Sequence, residues 1–362
     1  MALTKEQIKE FEEAEANAVS SSDAGMEWHG LRIVADQIIK AGDLEWAKKV
    51  YIKAEKNCEM YKGYISLGDS ISLNIGDKEW AKEIYEKAES KAEDCSDFKD
   101  LADSISKKLG NKEWAKKVYE KAEEKAEDCS DNLYIAESIC DNICDKDWAK
   151  KVYEKALEMD EDGDDLLTLA DSIYLKLSDK EWVKKIYKKA EGMVDVSSEL
   201  SCLAANIYKN LEDKEWAKTV YAKAEECANS NDDYRNLAKK IYFQLEDQKW
   251  AETLYKKAPL TEEEIDEYKK EESDAEDSYD LRELGDNLAN CGERGEWTIK
   301  VYKKSYEKAQ GSYELLQLGD SLYGELGDKK WAKDVYEKAL KLAMKDNIKD
   351  EIDEINLKLK KL

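Results

Sequence analysis

Few residues in this sequence have the types and spacing that catalysis or metal binding requires. His29 is the only histidine, so a Ser–His or Cys–His pair has a single candidate base. Cys140 and Cys144 lie one helical turn apart, a spacing suited to two metal ligands, but no second pair follows to complete a zinc site. In a long chain the eight cysteines are expected to be reduced thiols. We therefore predict no cofactor, no metal and no enzymatic activity.

Two acidic patterns could bind cations. The run MDEDGDD at 159–165 is similar to a calcium loop, but Leu169 stands where the bidentate glutamate belongs if Glu158 is the first ligand, so a turn between units is predicted. The second pattern is a column of carboxylates at Asp69, Asp103, Glu137, Asp171, Asp286 and Asp320. It could line a groove for basic peptides or cations. Because a residue repeated in many units usually records packing, we favour a structural role, with each carboxylate bonded to a neighbouring Trp indole or Lys.

The column belongs to a repeat that the tryptophans mark. Seven of them follow one another at a constant interval of thirty-four positions, and the step recurs from Trp297 to Trp331; the seven are Trp46, Trp80, Trp114, Trp148, Trp182, Trp216 and Trp250. A constant period of this length predicts one supersecondary unit copied along the chain.

Each unit is predicted to hold two helices, as residues 97–130 illustrate. The first helix, with Ser96 or Asp97 as its cap, has an apolar face of Phe98, Leu101, Ile105 and Leu109 and ends at Gly110. The second helix is capped by an Asp or Asn three residues before the Trp. Its buried stripe contains the Trp, a tyrosine five residues later, and alanines one and eight residues later. We interpret this aromatic column as core rather than as a ligand cage.

The pattern breaks at three places. Residues 1–22 are predicted to form an N-terminal capping helix that begins with a capping box of Thr4 and Gln7. Residues 23–258 hold repeats 1–7, residues 259–277 an acidic insertion, residues 278–345 repeats 8–9, and residues 346–362 a C-terminal capping helix. Thr261 and Glu264 form a second capping box, so the insertion is either an extra helix or an acidic loop. The predicted fold is an all-α, right-handed α-solenoid of about nine helix-turn-helix repeats with capping helices.

Charge limits the class of partner. The chain has 59 Lys and Arg against 84 Asp and Glu, a net charge of −25, which makes nucleic acid an unfavourable partner and a basic protein or peptide a suitable one. No apolar stretch is long enough for membrane insertion, and no signal peptide is evident. A cytoplasmic location is expected.

The segment LGDKKWAKDVYEKAL at 326–340 resembles the tetratricopeptide repeat family. The departures are a shifted or replaced Leu-Gly in the first helix, a missing proline after the second helix, and a Trp before the Ala. The segment AKKVYEKA at 115–122 is more weakly similar to half-a-TPR repeats.

The resemblance implies that the first helices line a concave groove, with the residues fourteen and ten positions before each Trp facing a ligand. The first column contains Arg32, Ser66, Asp100, Tyr134, Thr168, Cys202, Asn236, Glu283 and Gln317. The second contains Asp36, Ser70, Ser104, Ser138, Ser172, Asn206, Lys240, Asn287 and Ser321. We therefore expect a scaffold that binds a partner peptide or helix on this face. The alternatives are a self-assembling oligomer or filament and a scaffold in a ribonucleoprotein-processing complex.

Overall fold

The computed structural model describes residues 3–20, 26–160 and 165–362, and these ranges contain α-helices and no strands. The helices are α1 (Lys5–Val19), α2 (Glu27–Ala41), α3 (Leu44–Lys56), α4 (Tyr61–Ser70), α5 (Lys78–Glu89), α6 (Cys95–Ser104), α7 (Lys112–Glu124), α8 (Cys129–Ser138), α9 (Lys146–Met159), α10 (Leu166–Leu177), α11 (Lys180–Met193), α12 (Ser197–Asn206), α13 (Lys214–Cys227), α14 (Asn231–Lys240), α15 (Gln248–Lys257), α16 (Glu262–Asp274), α17 (Ser278–Asn290), α18 (Glu296–Lys308), α19 (Ser312–Gly324), α20 (Lys329–Asp346) and α21 (Lys349–Lys361).

The described helices form an all-α repeat solenoid, as predicted. They divide into two compact units, residues 1–190 and 191–362. The first holds the pairs from α2/α3 to α10/α11, and the second holds α12/α13, α14/α15, α17/α18 and α19/α20, while α1, α16 and α21 stand outside the pairing. Among the described residues, none of the helices combines the length and the apolar composition that crossing a membrane requires.

The second helices begin as the sequence predicts. The Asp43 carboxylate accepts the Trp46 backbone N–H at 2.9 Å, and the same bond recurs in seven further units at Asp77, Asn111, Asp145, Asp179, Asp213, Asp247 and Asp328. These side chains satisfy donors that have no partner within the helix, and the carboxylates also complement the helix dipole. The first helix of the 97–130 unit starts two or three residues earlier than predicted, because Asp94 rather than Ser96 or Asp97 caps it.

The first helices end in a way that periodicity did not predict. Five of them, α4, α6, α8, α12 and α14, continue into five-residue π-helical segments at Ile71–Ile75, Ile105–Leu109, Ile139–Ile143, Ile207–Leu211 and Ile241–Leu245. The residue after the helix has a positive φ, 72° at the predicted terminator Gly110. Non-glycine residues occupy this left-handed position in four units: Cys144, Ser178, Glu212 and Glu246.

The core consists of the predicted tyrosine and alanine columns. The tyrosines are buried in all nine units, at Tyr51, Tyr85, Tyr119, Tyr153, Tyr187, Tyr221, Tyr255, Tyr302 and Tyr336. The backbone of the first helix lies directly on the tyrosine ring, since a Cβ added to Gly68 would stand 2.6 Å from Tyr85, and one on Gly319 would stand 2.5 Å from Tyr336. A small residue in the first helix is therefore needed for this close approach.

The breaks in the pattern correspond to the three additional helices. Helix α1 lies within the predicted cap and begins with the Thr4–Gln7 capping box. The insertion contains helix α16 with the Thr261–Glu264 capping box, so the helix alternative is correct and the loop alternative is wrong. The predicted boundary at 22/23 and residues 161–164 of the predicted turn lie outside the described residues. The division of the chain into caps, repeats and insertion stays a prediction.

Candidate protein-binding surface

Most tryptophans link their unit to the helix before it. The indole N–H of Trp114 donates to Glu89 at 3.0 Å, and Lys121, two turns further along the same helix, also binds Glu89 at 2.6 Å. The same Trp–Glu–Lys triad recurs at Trp46, Trp80, Trp148, Trp216, Trp250 and Trp297 with Glu15, Glu55, Glu123, Glu191, Glu225 and Glu272. The tryptophans are half-buried rather than fully buried, because the edge that carries the N–H faces this ion pair.

The triad also explains the two extra helices that precede a repeat. Glu15 lies on α1 and Glu272 lies on α16, and each receives the indole of the following unit. Helices α1 and α16 therefore take the place of a preceding second helix in this contact. Two units lack the glutamate, because Leu157 occupies its position before Trp182 and Tyr306 occupies its position before Trp331.

The acidic column makes contacts within the protein, and two of its members, Asp103 and Asp320, pair with a Lys, one of the two expected partners. The more frequent partner is the buried tyrosine hydroxyl of the same unit, which donates to Asp69, Asp103, Asp171, Asp286 and Asp320, while Glu137 accepts from Ser172 of the next unit. Tyr85 donates to Asp69 at 2.6 Å and Tyr302 donates to Asp286 at 2.7 Å. Burial, followed by the adjacent carboxylate, raises the pKa of the Tyr85 hydroxyl, and burial raises the pKa of Asp286. The carboxylates of this column thus form hydrogen bonds within the protein.

The column ten residues before each Trp connects neighbouring units. Four members are buried, four are half-buried and one is exposed: Ser70, Ser104, Ser172 and Ser321 are buried, Asp36, Ser138, Asn206 and Lys240 are half-buried, and Asn287 is exposed. The Ser70 hydroxyl accepts from Arg32 of the preceding unit at 3.2 Å, and Ser321 donates to Asp286 at 3.0 Å. Several of these hydroxyls therefore have partners within the solenoid.

The column fourteen residues before each Trp is more open. Asp100, Tyr134, Thr168, Cys202 and Asn236 are among its more exposed members, while Arg32 is half-buried. Tyr134 shows 55% of its surface to solvent. Acidic, aromatic, hydroxyl and amide groups thus occupy equivalent positions in successive units.

Sequence reasoning missed the role of Arg235, one of only four arginines. Its side chain is 7% exposed and binds both carboxylate oxygens of Glu264 at 2.7 and 3.1 Å. It also donates to the backbone carbonyls of Ala258 and Pro259. The pKa of Glu264 falls to about 2, mainly because of the Arg235 guanidinium. The sequence did contain a signal for this role, because Arg235 stands fifteen residues before Trp250, where several other units have an apolar residue such as Leu31 or Leu133.

The thiols do not form a reactive set. Cys58, Cys95 and Cys129 are buried and all eight are unpaired. Burial raises the pKa of Cys58 to about 11 and that of Cys95 to about 12, so these thiols stay protonated at neutral pH. Among the described residues no group of three or more His, Cys, Asp or Glu side chains is arranged to hold a metal ion.

Comparison with known proteins agrees with the repeat architecture. Residues 315–345 match the tetratricopeptide repeat family model. A search of curated proteins gives no match. Two solved structures align over most of the chain at low similarity. Ton1535 from Thermococcus onnurineus NA1 is 12% identical, with 96% of each chain covered and a TM-score of 0.30. Yeast Tom70 is 15% identical, with 98% of this chain and 86% of that chain covered and a TM-score of 0.31.

Overlays with such scores carry no argument about function. The similarity to the tetratricopeptide repeat family rests on the matched segment. The matched helix pair, α19 and α20, contains the same Asp cap, Trp, Ala and Tyr that recur in the other units. The chain is therefore similar to the tetratricopeptide repeat family over residues 315–345, and the other units repeat the residue pattern of that segment.

Proposed function

We propose that this protein is a non-enzymatic scaffold that binds a partner peptide or helix on the surface of its first helices. The observation that carries the proposal is the contrast between two neighbouring columns. The residues ten positions before each Trp are largely serines and are mostly covered, whereas those fourteen positions before it are more open and chemically varied. Positions that maintain a stack repeat the same residue, while positions that read a partner's side chains differ from unit to unit.

The more open column includes the kind of anchor that protein interfaces use. Tyr134 on α8 presents a large aromatic surface, with Asp100 and Thr168 at the equivalent positions of the units on either side. An exposed aromatic side chain between polar neighbours is typical of a binding surface. The net charge of −25 favours a basic partner segment.

A photo-crosslinking experiment tests this surface. The crosslinking amino acid p-benzoylphenylalanine replaces Tyr134 in the full chain, and in a matched control it replaces Glu120, an exposed residue on the second helix α7. After irradiation in extract of the native cell, we expect a discrete set of crosslinked proteins from position 134 that position 120 does not produce. The yield should fall as salt is raised, since the partner is basic. Identical products from both positions, or no product from position 134, would falsify the proposal.

A further inference from the structure

A cleft of about 1030 Å³ opens in the second compact unit, residues 191–362, beside the insertion at residues 259–277. Its walls come from α15, α16, α18, the 291–294 loop and the start of α20, and they include Tyr255, Leu260, Trp297 and Trp331. The insertion creates the space. In three other units the Trp packs edge-on against the tyrosine of the preceding unit, as in the Tyr119–Trp148 pair with ring centroids 6.2 Å apart. Here Trp297 follows the inserted helix, and its indole N–H donates to Glu272 of that helix.

The unit that borders the cleft has an unsatisfied tyrosine. In several other units the buried hydroxyl donates to a carboxylate of the first helix, as from Tyr302 to Asp286. In this unit the equivalent position is Lys239, which forms an ion pair with Glu325. Within the described residues the Tyr255 hydroxyl is buried and has no hydrogen-bond partner. Because Lys239 replaces the carboxylate that several other units have at this position, the Tyr255 hydroxyl lacks that acceptor. A buried donor without an acceptor is energetically unfavourable.

A second unsatisfied group lies beside it. The Arg294 guanidinium stands over the Tyr255 ring at 5.0 Å and the Tyr242 ring at 4.3 Å. Its Nε donates to the Ala289 carbonyl at 3.2 Å, but Nη1 and Nη2 are buried and find no acceptor in the part of the chain that the structure describes. Cation–π contact partly stabilises the charge. A desolvated cation still has a strong preference for an anion.

The charges at the cleft favour an acidic ligand despite the negative chain. Lys256 and Lys303 are exposed on its walls. Two of its three carboxylates are already used: Glu293 accepts the Gly295 N–H at 3.0 Å, and Asp328 accepts the Trp331 N–H at 2.9 Å. The cleft therefore combines aromatic and aliphatic walls with free positive charge.

We propose that this cleft binds a segment of a partner protein that presents an Asp or Glu side chain between apolar residues, with the carboxylate accepting hydrogen bonds from Arg294 and Tyr255. The side chains that now cover the guanidinium move aside on binding. A volume of about 1030 Å³ lies at the upper end of the range for small-molecule sites, and the cleft is open, so it suits several consecutive residues. This site goes beyond the proposed function, because it lies in the second compact unit, residues 191–362. It also selects an acidic segment, whereas the partner segment proposed for the Tyr134 surface is basic.

Peptide pools test the site without a known partner. The full chain is mixed with two pools of end-blocked nonapeptides that differ only in the central residue, Glu or Gln, with mixed Ala, Leu, Phe and Ser at the other positions. Bound peptides are recovered by gel filtration and counted by mass spectrometry. We expect at least tenfold enrichment of Glu peptides over their Gln counterparts. Equal recovery of both pools overturns the proposal.

Three variants localise the selectivity. Arg294→Met should reduce the Glu preference to about one, and Tyr255→Phe, which removes only the hydroxyl, should reduce it severalfold. Tyr221→Phe is the matched control, since that hydroxyl donates to Gln244 away from the cleft, and it should keep the preference. Circular dichroism verifies that each variant is folded. If Arg294→Met unfolds, the Glu preference of Tyr255→Phe alone tests the site. Retained selectivity in a folded Tyr255→Phe or Arg294→Met contradicts the assignment. Failure here leaves the Tyr134 surface untouched.

Discussion

The two aromatic residues of each unit have different roles. Tyrosine sits inside a unit, where its ring supports the first helix and its hydroxyl in most units donates to a carboxylate or amide. Tryptophan sits between units, where its ring packs on the preceding tyrosine in three pairs and its N–H reaches a glutamate that a lysine also binds. The polar atoms of both rings are largely used by the protein, so neither column is arranged as a ligand cage.

Replacing Trp148 by Phe should lower the free energy of unfolding more than replacing Trp182 by Phe. Both rings pack edge-on against a tyrosine, Tyr119 and Tyr153 respectively, but only Trp148 donates to a glutamate, Glu123, at 2.6 Å. The lost bond to a charged acceptor should add about 1 kcal/mol to the cost, after allowance for partial exposure. Urea unfolding followed by circular dichroism measures the difference. Equal losses would mean that the N–H bond contributes nothing.

The buried tyrosines should make the protein sensitive to alkali. Burial raises the pKa of the Tyr85, Tyr119 and Tyr302 hydroxyls well above the ordinary value of 10.0. The unfolded chain therefore loses these protons first, so their contribution to stability is fully present below about pH 10 and is lost as pH rises above it. Melting temperatures measured from mildly to strongly alkaline pH should be level at first and then fall steeply. Tyrosinate absorbance should rise together with unfolding; ionisation of these residues in a chain that stays folded would contradict the assignment.

At the scale of elements, the left-handed residue that ends each first helix matters most. In most units this residue lies four positions before the Trp, where the chain turns into the second helix. It is Gly in some units and Cys, Ser or Glu in others. Residues with a Cβ are strained in this conformation. The inserted helix α16 is the other decisive element, because it supplies Glu272 to the next unit and is fastened by Arg235.

Glycine at the strained positions should stabilise the protein. Glu212 and Glu246 have φ values of 60° and 56°, so Glu212→Gly and Glu246→Gly should each raise the free energy of unfolding by about 1 kcal/mol. The reverse change, Gly110→Glu at a φ of 72°, should lower it by a similar amount. Thermal and urea unfolding measure both effects. A lower midpoint in Glu212→Gly would show that its side-chain contacts outweigh the backbone strain.

Replacing Arg235 by Leu should loosen α16 specifically. Leucine already occupies the equivalent position in other units, at Leu31 and Leu133, so the first helix should tolerate it. Loss of the pair with Glu264 should speed amide hydrogen exchange in residues 262–274 by about ten- to a hundredfold. Arg282→Leu is the control, since Arg282 pairs with Asp286 of its own helix. Equal exchange in wild type and Arg235→Leu would show that other contacts hold α16.

At the scale of the whole molecule, we expect the net charge and the charged helices α1 and α21 to limit self-association. Helices α1 and α21 are rich in charged residues. No residue of α1 is buried, and Ile355 is the one buried residue of α21. The net charge of −25 adds repulsion between copies.

The protein should therefore be a monomer of 41.6 kDa in solution. Light scattering coupled to gel filtration, over a wide range of concentration and at low and moderate salt, measures the mass directly. A mass that grows with concentration would instead support the self-assembling alternative that the sequence leaves open.

The sequence alone determined the period, the helix pairs, the second-helix caps and the buried tyrosine column, because these depend on local spacing and on residue type. The Thr4–Gln7 and Thr261–Glu264 capping boxes could be predicted for the same reason. Only the tertiary structure decided which carboxylate each aromatic group meets, since Asp69 and Glu55 look alike in sequence and differ by the helix that faces them. It also revealed the unsatisfied Arg294 and Tyr255, which are distant in sequence and become neighbours through packing across the insertion.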